Sequence, residues 1–247
     1  MIFNLRDNRF KGHEEKADHP PAFSVVIPVY NEEESVEPLY KELCQALDPL
    51  KQSYEMIFVD DGSSDRTAHI LESLQGKDSR IHIITLPQRH GQTYALRQGL
   101  GAVLGKAVVT LDADLQNDPA DIPKMLKELN KGYDVICGWR YPRQDQPLKV
   151  LLSRWGNTFQ KALTGLTIHD VSCTLRVYSK DCWEKIPLNW EGQHRFIPLC
   201  LALQGFRVGE VVSHHRQRRF GTSKYNHGRI FKVIMDFGRI LWAKGKK

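Results

Sequence analysis

Short runs of β-branched and apolar residues, several closed by a polar cluster, recur through the first half of this chain and restrict its fold more than any other feature. Phe23-Ser24-Val25-Val26-Ile27-Pro28-Val29 leads into Tyr30-Asn31-Glu32. Residues 54–59 lead into Asp60-Asp61-Gly62-Ser63-Ser64-Asp65, and 107–111 into Asp112-Ala113-Asp114. Runs of this length and composition read as buried strands. Two more are predicted at 81–86 and 134–138. Between them lie segments with helical spacing: 33–50, with Val36, Leu39, Leu43 and Leu47 on one face, then 67–74, 93–104 and 119–129. Strands alternating with helices predict an α/β fold with a mostly parallel sheet flanked by helices. In such sheets ligands bind at the carboxyl ends of the strands. Three polar clusters at three such ends imply one shared pocket.

The second half is less regular. It predicts helices over 149–163 and 196–203 and a strand over 207–212. Over 228–242, Ile230, Val233, Ile234, Phe237, Ile240 and Leu241 share one face, opposite Arg229, Lys232, Asp236 and Arg239. That pattern predicts an amphipathic helix. Residues 1–20 are polar, carry no signal-peptide core and read as a mobile leader. The expected division is therefore leader 1–20, domain 21–226, and basic helix and tail 227–247. No stretch is long and apolar enough to span a bilayer.

The net charge of +6 is concentrated at one end. From residue 207 onward there are 11 Lys and Arg against 2 Asp and Glu, so the rest of the chain is slightly acidic. A basic block implies an anionic partner such as phosphate or anionic lipid. Acidic clusters in the expected pocket argue against a nucleic acid entering there, and none is expected. The five cysteines are odd in number and lack zinc-site spacing, which fits free thiols in a reducing compartment.

Asp112 and Asp114, two apart where a strand breaks into a loop, can share a hard divalent cation such as Mg²⁺ or Mn²⁺. Gln116 offers a further carbonyl oxygen. The plainer alternative leaves Asp114 and Asp118 solvating a loop, or Asp118 capping the helix that begins at Pro119. Asp60 can accept a hydrogen bond from a nucleobase, while Ser64 or Asp65 caps the following helix.

Taken together, Pro28-Val29-Tyr30-Asn31-Glu32, Asp60-Asp61-Gly62-Ser63 and Asp112-Ala113-Asp114-Leu115-Gln116 resemble family 2 of the glycosyltransferases, whose fold is the Rossmann-like GT-A type. The resemblance covers about residues 22–226. His215-Arg216-Gln217-Arg218-Arg219-Phe220-Gly221-Thr222-Ser223-Lys224-Tyr225 is similar to a signature of the polyprenyl-phosphate branch, as are Asp170-Val171-Ser172-Cys173-Thr174-Leu175-Arg176 and His194-Arg195-Phe196-Ile197-Pro198. The resemblance implies a metal-dependent, inverting enzyme moving sugar from a UDP- or GDP-linked donor to a polyprenyl phosphate. It implies that Pro28, Tyr30 and Glu32 line the nucleoside pocket and Asp60 meets the base. Asp112, Asp114 and Gln116 would hold metal and diphosphate, and Arg140, Arg154, Arg218 and Lys224 would bind phosphates. Asp170 would take an orienting or base-like role, its plainer alternative being a loop carboxylate paired with Arg176. A phosphate acceptor is largely dianionic at neutral pH and needs little general-base help. The alternative acceptor is a hydroxyl of a soluble glycan, glycolipid or protein, and a lesser alternative is a non-catalytic nucleotide- or nucleic-acid-binding module using the basic tail. The expected location is the cytoplasmic side of a membrane, with residues 227–247 peripheral on its anionic inner face.

Overall fold

A computed structural model describes residues 20–141, 168–218, 235–236 and 238–240. A seven-stranded sheet has the order β3-β2-β1-β4-β6-β5-β7. The strands are β1 Phe23–Val29, β2 Tyr54–Asp60, β3 Ile81–Thr85, β4 Ala107–Thr110, β5 Val135–Arg140, β6 Arg176–Ser179 and β7 Val208–Ser213. Neighbours run parallel except β6, which is antiparallel to both β4 and β5. The expected fold class is therefore observed.

The helices are α1 Val36–Leu47, α2 Thr67–Gln75, α3 Gln92–Gly101 and α4 Ile122–Leu129, then the short α5 Lys180–Trp183 and α6 Ile197–Ala202. They cover both sheet faces, which is why strands such as β2 are buried along their whole length. On one face Val25, Ile27, Met56 and Phe58 meet the α1 stripe of Val36, Leu39, Leu43 and Leu47. On the other, Val26, Ile57 and Val59 meet Ala95, Leu96 and Leu100 of α3. Helix α3 sits close because Gly99 faces β1: a Cβ there would lie 2.4 Å from Val26 Cγ1.

The structure departs from expectation in identifiable places. The first helix starts at Val36, not residue 33, because the Glu32 carbonyl accepts the N–H groups of Ser35 and Val36 and Asp65 accepts that of Glu33. Residues 48–50 form a separate 3₁₀ turn. Residues 119–121 are likewise a 3₁₀ turn before α4, and Asp118 caps it by accepting from Ala120 N at 3.0 Å. The strand β6 has no counterpart in the sequence reading.

The helix expected over 149–163 lies outside the described residues, as do Arg154, Lys224, the leader (Pro20 apart) and the boundary at 226. Of the C-terminal helix, residues 235–236 and 238–240 are described and helical. Ile240 packs against Phe196, Leu199 and Cys200 of the domain. Asp236 was expected on the solvent face, yet it is buried. One turn separates it from Ile240, which puts both on the same side of the helix. No described helix is long and apolar enough to cross a membrane.

At the amino end of the sheet Arg80 holds Asp78 at 2.7 Å and Asp48 at 2.6 Å, with Tyr40 donating to Asp78. Arg80 beside it pulls the Asp78 carboxyl down to about 2. A depressed folded-state pKa contributes stability above the unfolded value near 4, and that stability fades as pH falls through the folded one. Asp78→Asn should therefore cost about 1–2 kcal/mol at pH 6, allowing for the exposure of Arg80. Urea denaturation should show the gap to wild type narrowing as pH falls from 4 toward 2. A gap independent of pH would refute the assignment.

Candidate active site

The three polar clusters meet at the carboxyl edge of β1, β2 and β4 and are stitched together. Asn31, in the left-handed region at φ 51°, donates its N–H to Ser63 Oγ at 2.9 Å and accepts from Ser64 N at 2.8 Å. The N-cap of α2 is Arg66 and carries no side-chain cap, so neither Ser64 nor Asp65 takes the capping position; Asp65 accepts from Thr67 N and Glu33 N and so ties the two clusters. Asp60 is buried and its Oδ1 accepts from both N and Oγ of Ser63. Asp61 was not singled out from the sequence. It accepts from His90 N at 2.7 Å and Gly91 N at 2.8 Å, anchoring the loop ahead of α3. Gly62 lies between at φ 69°, and a Cβ there would be 2.6 Å from the Gln88 backbone. Only glycine accepts both that conformation and that approach.

That loop brings Arg89 over the Tyr30 ring at 4.2 Å. Pro28 sits in β1 opposite Val59 and borders the Asp112 side of the site. Glu32 accepts from Ser35 Oγ at 2.6 Å, and its Oε1 lies 3.7 Å from Arg218 Nη2.

Asp112 follows β4 and accepts from Gln92 Nε2 at 2.6 Å. Gln92 is the first residue of α3 and was missed: nothing local in the sequence distinguishes it from a surface glutamine. Burial, and then the charge of Asp114, push the Asp112 carboxyl up to about 7, against the opposing pull of Thr174, Arg176 and Arg140. Leu115 takes φ 60°, a conformation uncommon for a branched residue, and so turns the loop sharply after Asp114. The Gln116 carbonyl accepts from Arg216 N at 2.9 Å, and the side-chain amide carries a second oxygen that could be offered to a cation.

No group of three His, Cys, Asp or Glu side chains forms a metal cage among the described residues. The observed pair still fits Mg²⁺ or Mn²⁺, which take one or two carboxylates and complete their shell with water and substrate phosphate. The charge of Asp114 raises the proton affinity of Asp112, and such a cation relieves that repulsion.

Arg140 closes β5 and reaches Asp170 through a two-pronged contact, Nε to Oδ2 at 2.6 Å and Nη2 to Oδ1 at 2.9 Å. Ser172 Oγ bonds to both partners. The Asp170 partner is thus Arg140 and not Arg176. Arg176 is buried in β6 and donates to the carbonyls of His194 and Val171. Thr93 Oγ1 and His194 Nδ1 lie 2.6 Å apart beside it, and Glu191 accepts from Thr93 N, tethering the start of α3. Arg218 reaches Asp114 Oδ2 at 3.2 Å and Glu32 Oε1 at 3.7 Å. A larger cavity of about 510 Å³ lies at the amino end of the strands near Lys106 and Lys180, away from all these residues.

Over 224 residues the chain is 36% identical to a dodecaprenyl-phosphate galacturonate synthase of Rhizobium johnstonii. The match covers 89% of this chain and 66% of that relative's length. Among solved structures, glucosyl-3-phosphoglycerate synthase from Mycobacterium tuberculosis shares the fold. Its complex with Mn²⁺, UDP-glucose and phosphoglyceric acid is 20% identical, with TM-score 0.64 over 91% of this chain and 79% of that one. Its complex with Mg²⁺ and UDP is 19% identical, with TM-score 0.67 over 89% and 79%. The fold is the GT-A type that the sequence resemblance implied. Residues 24–186 match the profile of glycosyl transferase family 2, and the chain belongs to that family.

Proposed function

We propose that this chain transfers a sugar from a UDP- or GDP-linked donor to the phosphate of a polyprenol, with inversion, using Mg²⁺ or Mn²⁺ at the inner face of a membrane. The observation that carries this reading is the convergence of the Asp112–Asp114 pair with two arginines, Arg140 and Arg218, from the opposite half of the sheet. The named activity of the Rhizobium relative, a polyprenyl-phosphate sugar synthase, supports the choice of acceptor.

Asp112 and Asp114 would hold the metal, with Gln92 fixing the first of them and Gln116 lending an amide oxygen. When bound, the metal stabilises the charge that develops on the departing diphosphate. Pro28, Tyr30 and Asp60 border the space for the nucleoside. Arg140 presents a fixed charge to the acceptor phosphate, and Asp170 acts as a positioning residue that aims it. A carboxylate engaged by a guanidinium at both oxygens is a poor base, and a dianionic phosphate needs little help from one. Arg154 and Lys224 belong to the proposed phosphate-binding set as well. Packing of Ile240 on α6 supports a C-terminal helix that lies along the domain and presents its basic side to anionic lipid.

The test is a transfer assay with purified protein, UDP- and GDP-sugars, Mg²⁺ or Mn²⁺, and a short polyprenyl phosphate. Product that needs both metal and polyprenyl phosphate is the expected result. Donor hydrolysis with no transfer to the lipid would point to a hydroxyl acceptor. No donor turnover under any condition would sink the reading.

A further inference from the structure

The segment after β7 is a strap laid along the Asp112–Asp118 loop. His214 donates its N–H to Asp121 Oδ2 at 2.6 Å, and its ring nitrogen lies 3.0 Å from Asp121 Oδ1. His215 bridges to Asn117 in antiparallel fashion, and Arg216 N donates to the Gln116 carbonyl. Arg216 then pairs with Glu42 and Asp118, each at 2.7 Å. Two residues on, Arg218 meets Asp114 and Glu32, at 3.2 and 3.7 Å. Arg216 meets its carboxylates at the distance of a well-made guanidinium–carboxylate bond, about 2.7–2.9 Å, whereas Arg218 meets Asp114 and Glu32 at longer range.

We propose that Arg218 is an exchangeable cation: it neutralises Asp114 and Glu32 before metal arrives, gives up Asp114 to the metal, and closes on the donor diphosphate. This deepens the reading of Asp114 as a metal ligand and rests on it. Glu32 and Asp114 have side chains only 16% and 12% exposed, so their charges need a nearby cation. Arg218 supplies one charge where a divalent ion supplies two. A divalent ion on Asp114 repels the guanidinium across a distance of a few ångströms. The diphosphate that arrives with the metal is the anion within reach of the same side chain, and its oxygens match the guanidinium fork. Arg216 keeps the base of the strap fixed, so the movement is confined to the last residues. Metal and donor would then bind as partners: donor gives the displaced arginine a new anion, and metal frees the arginine for donor. The consequence is a low affinity for metal alone and a high one for metal with nucleotide.

Mn²⁺ binding to the full chain, followed by the paramagnetic resonance of free Mn²⁺ at pH 7.5, tests this with and without UDP or GDP. Without nucleotide, Arg218→Gln should bind Mn²⁺ about threefold to tenfold more tightly than wild type, the range a partly exposed ion pair provides. With nucleotide the advantage should vanish or reverse, and nucleotide affinity should fall about tenfold. Arg218→Lys, which keeps the charge, should stay near wild type for Mn²⁺ alone. A strap that served only to hold the fold would shift both affinities in one direction. Equal or weaker Mn²⁺ binding by Arg218→Gln without nucleotide, with Asp114→Ala abolishing binding, overturns the exchange and leaves the metal site standing. Mn²⁺ binding indifferent to Asp114 removes the metal site and the exchange together.

Discussion

Replacing Asp114 with alanine is expected to lower sugar transfer by about 10³-fold or more, the scale on which removal of a main charge stabiliser slows a reaction. The reason lies in how few ligands the protein supplies. Asp112 and Asp114 are the carboxylates at the end of β4, and no third His, Cys, Asp or Glu joins them among the described residues. With one removed, a hard cation keeps a single protein carboxylate and the diphosphate it must share. The same substitution keeps the contact of Arg218 with Glu32, so stability should change little. Steady-state transfer at saturating Mg²⁺, with a thermal melt alongside, separates the two effects. Activity within tenfold of wild type would show that Asp114 does not hold the metal.

The second large effect concerns Asp170. Its side chain is 1% exposed and both its oxygens are engaged by Arg140. Asp170→Ala should destabilise the fold by about 3 kcal/mol, because breaking a buried pair from one side leaves the other charge without its partner. Urea denaturation measures this. Replacing both residues, as Arg140→Gln with Asp170→Asn, should recover much of the stability, since the uncompensated charge is gone. Transfer activity should not recover with it, because the proposed contact of Arg140 with the acceptor phosphate is lost. A general base would behave otherwise: Asp170→Asn would lose activity with a change in the pH–rate profile while Arg140→Gln retained it. Unchanged stability in Asp170→Ala would mean that the pair is dispensable to the fold.

Strands β1 to β4 and the clusters at their ends were legible because burial on both faces requires continuous β-branched runs, and a strand must stop where charge begins. The capping of the turn at Pro119 by Asp118 was equally local. Strand β6 was not legible. It has four residues and opens on Arg176, a charged residue that the fold buries against two carbonyl groups. Gln92 was missed, and Asp61 was quoted only within its cluster, for a related reason: each does its work through a partner distant in the chain.

Local pattern by itself determined the α/β class and placed three polar clusters, with their aspartates, at the carboxyl edge of the sheet. Tertiary structure alone decided the partners of the arginines. Arg140 pairs with an aspartate 30 residues away and Arg218 with one 104 away. Those choices follow from strand register: β5 and β7 align Arg140 with Ser213, and the chain leaving Ser213 is thereby laid along residues 114–118. Periodicity reports which side of an element is buried, whereas the partner it meets depends on how separate elements are aligned, and no local run of residues contains that alignment.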